Sequence, residues 1–214
     1  MKLSLPVIIL GGAAHTKVLI DALRLQSVEI LGIVDADPSK KWQELMGVPV
    51  IGSDEEVMKY SPQSVRLVNG IGSVRVSKLR RQIFENFKSK GYQFERVIHP
   101  SSIIAGDVEL SEGAQIMAGV IIQTGSTVGA NTIINTRASV DHDCQIGNHI
   151  HISPGSVLSG GVVVGENVHI GTGAVIIQGV QIGANSLVAA GAVVIQNVQN
   201  DLTVAGVPAR ELKR

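Results

Sequence analysis

Four histidines fall within 28 residues: His142, His149, His151 and His169. The first is followed at once by a carboxylate, Asp143. Histidine titrates near neutrality, so a positioned imidazole can take a proton from an attacking nucleophile. An adjacent carboxylate can orient such a ring and stabilise the imidazolium it becomes. The same cluster could instead gather a metal ion, for which imidazole is a common ligand. A second chemical signal lies far upstream. Gly11-Gly12-Ala13-Ala14-His15-Thr16 follows an apolar run and opens a stretch of helical spacing, where free backbone N–H groups suit a phosphate. The dinucleotide pattern G-x-G-x-x-G is absent. Asp35 closes the next apolar run and could accept from a ribose or a base. Gly72, after Asn69-Gly70-Ile71, opens another helix beside the same crevice.

These groups sit in a chain of 214 residues, enough for two small domains. Eighteen Lys and Arg balance eighteen Asp and Glu, which excludes the broad basic footprint of a nucleic-acid binder. One cysteine excludes a disulfide framework and fits a reducing cytoplasm. No apolar run approaches the roughly 18 residues of a membrane helix, and the start does not read as a signal peptide. A cytoplasmic protein is expected. All six aromatic residues precede residue 95, and lysine is absent from 91 to 212. Residues 1–103 carry 14 basic and 10 acidic groups, whereas 104–199 carry one and six. Two domains follow from that division.

In the first part, apolar runs alternate with helical patterns. Leu5–Leu10, Ile30–Val34, Val65–Ile71 and Phe94–Ile98 read as strands. Val18, Leu19, Ala22 and Leu23 mark one helix, and Val76, Leu79, Ile83 and Phe87 one face of another. Such alternation predicts a small α/β, Rossmann-like domain over 1–99.

The second part repeats. Stepping by six from Ile104 to Val194 lands on sixteen aliphatic residues without an insertion. Four residues after each stands a small or aliphatic side chain, and the position between is mostly Gly, Asn or Asp, which tolerate a left-handed corner. Sixteen hexads at three per turn make about five and one third coils of a triangular parallel β-helix over 100–200, about 25 Å long. Residues 201–214 read as a tail, with Arg210, Lys213 and Arg214 placed to meet phosphates.

A coil of 18 residues stacks positions into columns. His149 stands in the corner column Gly113, Asn131, His149, Asn167, Asn185 and reads as a backbone corner. His151 lies beneath His169. His142 lies beneath Gly160, whose bare position leaves room for reacting groups beside a base.

The hexads resemble those of the hexapeptide-repeat acyltransferases, which implies a left-handed helix. Asn135–Ile152, with the N-terminal GGAAHT, the strand-end Asp35 and the C-terminal AGVPAR, resembles the bacterial sugar acyltransferases that join a Rossmann-like domain to such a β-helix. That family includes UDP-4-amino-sugar and GDP-perosamine N-acetyltransferases and sialic-acid O-acetyltransferases. The resemblance implies His142 as general base and Asp143 as its enhancer. It implies acetyl-CoA against His151, Gly160, Thr172 and Ala190, and a nucleotide-linked sugar at Gly11, Gly12, Ala13, Ala14, His15, Asp35 and Gly72. It further implies a homotrimer with the site at the subunit interface. Histidine spacings of 7, 2 and 18 do not match the β-helical carbonic anhydrases, so no metal is expected. The expected activity is N-acetylation of the 4-amino group of a nucleotide-linked deoxysugar. O-acetylation of a sialic acid is the alternative enzyme. A non-catalytic sugar-nucleotide-binding or assembly protein is the alternative of another class.

Overall fold

Strand β1 (Val7–Leu10) is apolar at every position because both faces of its sheet are covered. Val7 and Ile9 pack with Leu19, Ile20 and Leu23 of α1 (Ala14–Leu25). Ile8 and Leu10 pack on the other side with Phe84 and Phe87 of α3 (Lys78–Ser89). The computed structural model describes residues 5–212 except 74, 75 and 77. β1 lies between β2 (Ile30–Val34) and β5 (Arg66–Asn69), both parallel to it. Beyond β2 comes β4 (Val48–Gly52), which pairs antiparallel with β3 (Glu44–Leu45) and leads into the short α2 (Asp54–Val57). The predicted α/β domain is present, with an edge hairpin that the apolar runs did not announce.

Two expectations shift. The helix face expected at Leu79 and Ile83 is turned by one residue: Leu79 is exposed, and Arg80, Phe84 and Phe87 are buried. Phe84 packs on Phe94 at 4.4 Å, and Arg80 finds carbonyl acceptors in the joint. The run Phe94–Ile98 is also divided. Phe94 only bridges to Leu67, and Val97–Ile98 (β6) pairs with Gln115–Ile116 as the first strand of the β-helix.

Beyond it the chain forms the expected triangular prism. Ile116 and every sixth residue after it to Val194 are buried; Ile104 and Leu110, at the open end, are half-buried. From Val97–Ile98 to Val175–Ile176 the register is unbroken: each strand pairs in parallel with the one 18 residues on, as in Ile133↔His151 and His151↔His169, and only the last coil is shorter, with Leu187 pairing Thr203. The corner column adopts the predicted left-handed backbone, with φ of +55° at Asn131, +60° at His149 and +57° at Asn185. The expected tail is structured. Thr203–Gly206 continues one face by pairing with Leu187–Val188, then folds back on Ala209–Glu211. Arg210 lies in that hairpin, exposed; Lys213 and Arg214 lie outside the described residues.

The three faces differ. On the face of β6, the outward residues Gln115, Ile133, His151 and His169 are buried because the N-terminal domain packs over them. On the second face the outward column reads Ile103, Ile121, Ser139, Val157, Val175, Val193, and Ile103 is 65% exposed. On the third it reads Glu109, Thr127, Gln145, Val163, Gln181, mostly polar and exposed. Among the described residues, no helix is long and apolar enough to cross a membrane.

Candidate active site

His142 and Asp143 occupy the corner between the second and third faces. The corner needs a left-handed residue, and Asp143 supplies it at φ +59°. That backbone turns the carboxylate onto its neighbour: Nδ1 of His142 lies 2.8 Å from Oδ2 of Asp143. Since a carboxylate only accepts, Nδ1 carries the proton, and Nε2 is left as the basic nitrogen. The Asp143 hydrogen bond, with the charges of Asp141 and Asp143, holds the imidazole pKa above the ordinary 6.5. The imidazole is half exposed.

Two glycines on adjacent coils bracket the pair. A Cβ at Gly125 would stand 2.5 Å from Oδ1 of Asp143, and one at Gly160 would stand 2.5 Å from both Cε1 and Nε2 of His142. This corrects the reading of Gly160. Its bare position is filled by the imidazole itself, and the buried glycine serves as the shelf on which the ring lies.

The remaining residues gather on the docked face. His151 is buried, with Nε2 3.1 Å from the Asn135 amide and Nδ1 3.0 Å from Oγ of Ser73. The Asn135 carbonyl accepts from Thr136 N–H, so its amide nitrogen is the group facing His151. Nε2 of His151 therefore accepts, and Nδ1–H donates to Ser73. Burial, with smaller contributions from His169, His15 and Arg80, pushes this pKa down to about 3, so the ring is neutral. His15 is likewise held near 4 by burial, and its Nε2–H donates to Gln115, whose own amide donates to the Asn69 carbonyl. Gly72 admits that contact: a Cβ there would lie 3.2 Å from the His15 Cβ.

Two cavities meet at His151. A groove of about 330 Å³ runs past Asn135, His151, Pro154, Thr172 and Ala190. A cleft of about 570 Å³ is lined by Ala13, Ala14, His15, Gly72, Asn135 and Thr136. Ser73, Asn135, His151 and Pro154 border both. The expected donor and sugar residues are thus adjacent, with His151 as the partition. Gly11, Gly12 and Asp35 stand apart from the cleft lining. Gly12 N–H, expected to face a phosphate, donates to Asp35 at 2.7 Å. Asp35 also accepts from Asp37 N–H and from Lys40 at 2.8 Å, and those contacts hold its pKa below the ordinary carboxylate value despite burial. Thr16 donates to the carbonyl of Gly11 and anchors the loop.

His142 and Gly160 border neither cavity. One whole side of the prism, six residues and at most about 20 Å, separates their corner from that of Thr172 and Ala190. Sequence reasoning missed Ser73, Gln115 and Lys40, and gave Asn135 no role. Ser73 and Gln115 meet their histidine partners across 78 and 100 residues of sequence, which nothing local marks.

His149 holds a corner, with φ +60°. Its Nδ1 accepts from the Asn131 amide at 2.9 Å, and the next step of the column is an Asn167–Asn185 bond, also 2.9 Å. Asparagine suits both that bond and the left-handed backbone. His149→Asn is therefore expected to keep kcat within about twofold, with a small stability loss from the Phe84 edge contact. Steady-state kinetics beside a thermal melt checks this, and a tenfold fall in kcat would reverse the assignment.

The family model described as the PglD N-terminal domain matches residues 6–87, and that for the bacterial transferase hexapeptide (six repeats) matches 161–196. GDP-perosamine N-acetyltransferase of Escherichia coli O157:H7 is 38% identical over 87 residues, which span 41% of this chain and 39% of that protein. PerB from Caulobacter crescentus, solved in complex with CoA and GDP-perosamine, is 40% identical, with 97% of each chain covered and a TM-score of 0.90. The acetyltransferase domain of PglB from Neisseria gonorrhoeae FA1090, in complex with acetyl coenzyme A, is 32% identical, covering 98% of this chain and 100% of that one, with a TM-score of 0.90.

Proposed function

The chain belongs to the bacterial sugar acyltransferases that join a PglD-type domain to a left-handed hexapeptide β-helix, and on that premise we propose that it transfers an acetyl group from acetyl-CoA to the 4-amino group of a nucleotide-linked deoxysugar. The observation that carries this reading is the His142–Asp143 pair, an oriented base with its second nitrogen free. The amine attacks the thioester carbonyl carbon while Nε2 of His142 takes its proton, and Asp143 stabilises the imidazolium. The C–S bond then breaks, and the imidazolium returns the proton to the departing CoA sulfur. Transfer is direct. Cys144 is fully buried, its thiol donates to the Ser159 carbonyl, and burial pushes its pKa up, so it is a poor acyl carrier.

The pantetheine arm would occupy the groove at His151, Thr172 and Ala190, with the sugar in the adjoining cleft of Ala13, Ala14, His15 and Gly72. A GDP-linked 4-amino-sugar is the first substrate to test, given the ligand of the 40% identical relative. The reaction is assigned to the cytoplasm, where both substrates are present.

The separation of base from groove argues for assembly. The second face is apolar but for Ser139, with the His142 corner on one side and the Thr172 corner on the other. Packing that face against another copy would hide the patch and bring one subunit's base towards its neighbour's groove. A homotrimer with three shared sites satisfies both demands. Light scattering is expected to show a trimer, and a fully active monomer would refute the shared site.

The activity itself is tested by CoA release, followed with a thiol reagent, over a panel of GDP- and UDP-linked 4-amino-sugars. At least one should release CoA far above background. Silence across the panel would overturn the proposed reaction.

A further inference from the structure

The guanidinium of Arg80 is buried in the joint between the two domains, 3% exposed, and among the described residues no carboxylate pairs with it. Its Nη1 donates to the carbonyls of Asn69 at 2.9 Å and Ile71 at 2.7 Å, and its Nε to that of Asn131 at 3.2 Å. A charge so deeply buried is costly, and three carbonyls compensate it only in part. Desolvation lowers its pKa to about 9, still cationic at neutral pH.

Two buried side-chain polar atoms in the described residues have no hydrogen-bond partner: Nη2 of Arg80 and Nδ1 of His169. Both residues line one small cavity between α3 and the docked face, together with Ser73, His149, His151 and Asn167. Its volume is about 10 Å³, the space of a single water molecule. The chemistry is complementary. A water there accepts from Nη2–H and donates to Nδ1, which leaves His169 to donate from Nε2 to Oγ of Ser153, 3.3 Å away.

The carbonyls that Arg80 grips flank Gly70 and lead directly into Gly72 and Ser73. Gly72 packs on His15, and Ser73 accepts from His151. The rings of His151 and His169 meet edge to face at 5.1 Å. Arg80 thus reaches the partition between the two cavities by the loop and, across the small cavity, by His169. We propose that Arg80 is a positioning residue for the transfer reaction, acting on His151 through the Asn69–Ser73 backbone and through one internal water shared with His169. The water site stands independently of the proposed reaction, whereas the kinetic consequence rests on it.

A crystal structure of the full chain at about 1.5 Å or better should show one ordered water within 2.7–3.2 Å of both Arg80 Nη2 and His169 Nδ1. Clear density lacking that water, or a direct Arg80–His169 contact in its place, overturns the site whatever the enzyme's substrate. Arg80→Lys keeps the charge but loses the fork that grips two carbonyls. It should lower kcat about tenfold at saturating substrates, and His169→Leu about threefold. Because both cut one link, the double variant should be no slower than the slower single. Multiplying losses, or an Arg80→Lys enzyme with the parent kcat, would overturn the positioning role. Should Arg80→Lys fail to fold, Ser73→Ala and His169→Leu cut the loop route and the water route separately: each should lower kcat and their losses should multiply, and parent kcat in both would overturn the positioning role.

Discussion

Replacing His142 by alanine is expected to lower kcat about 100-fold or more while leaving the fold intact. The magnitude is that of a lost general base, about 10²–10⁴ in rate. The fold should survive because the ring lies half exposed on a corner, and the backbone of that corner is held by Gly161 N–H on the His142 carbonyl and Asp143 N–H on that of Thr124. The loss should appear in kcat more than in either KM, since the base acts on the attacking amine in the transition state. The pH profile gives an independent check. A base works unprotonated, and the Asp143 bond lifts the His142 pKa above 6.5, so kcat/KM should fall on the acid side at a pH above the ordinary histidine value. Asp143→Asn removes the largest cause of that lift, so the acid limb should move to lower pH even as the plateau drops. A His142→Ala enzyme as active as His149→Asn would mean that the base is elsewhere.

Gly160→Ala is the second large effect, expected to cost about 10- to 100-fold in kcat without touching a reacting atom. Its Cβ would stand 2.5 Å from two atoms of the His142 ring, well inside van der Waals contact, so the ring must swing off its shelf. The 2.8 Å bond to Asp143 then lengthens or breaks, and displacement of a catalytic group by about 1 Å can cost 100-fold. Gly160 has no left-handed backbone to strain, so the thermal midpoint should hold near that of the parent. Gly106→Ala, which meets nothing within 4 Å, is the matched control and should be silent. Parent-level kcat in Gly160→Ala would show that the base does not need this shelf.

The prism was legible because one rule, an aliphatic side chain every sixth residue, is imposed sixteen times by a bore too narrow for any alternative. Even the corner conformation of His149 follows from its column. The α/β domain was legible as a class, but its details depended on partners far along the chain. Leu79 lost its place in the core to Arg80 because carbonyls from β5, the following loop and a prism corner were available to a guanidinium. Val97 and Ile98 look like part of the fourth apolar strand of the first sheet, yet they pair with residues 18 ahead. At the site, His142 and Asp143 could be read because they are neighbours. The purpose of Gly160 could not, since a glycine one coil above an imidazole looks the same in sequence whether it makes room for a ligand or for the ring. Ser73 and Gln115 act across the domain joint, 78 and 100 residues from the histidines they hold.

The unbroken register also constrains how this chain can change by evolution. A single residue inserted anywhere in the prism would shift every later aliphatic position out of the bore and every later corner off its turn. Eighteen residues inserted at a corner would disturb none of them: the molecule would grow by one rung of about 4.8 Å, with one more groove-lining position in each column. Lineages can thus alter the length of this half only in whole steps, whereas the α/β half carries no such repeat to keep in step. Under the proposed reaction, the donor groove would change by counting rungs and the adjoining cleft by ordinary substitution.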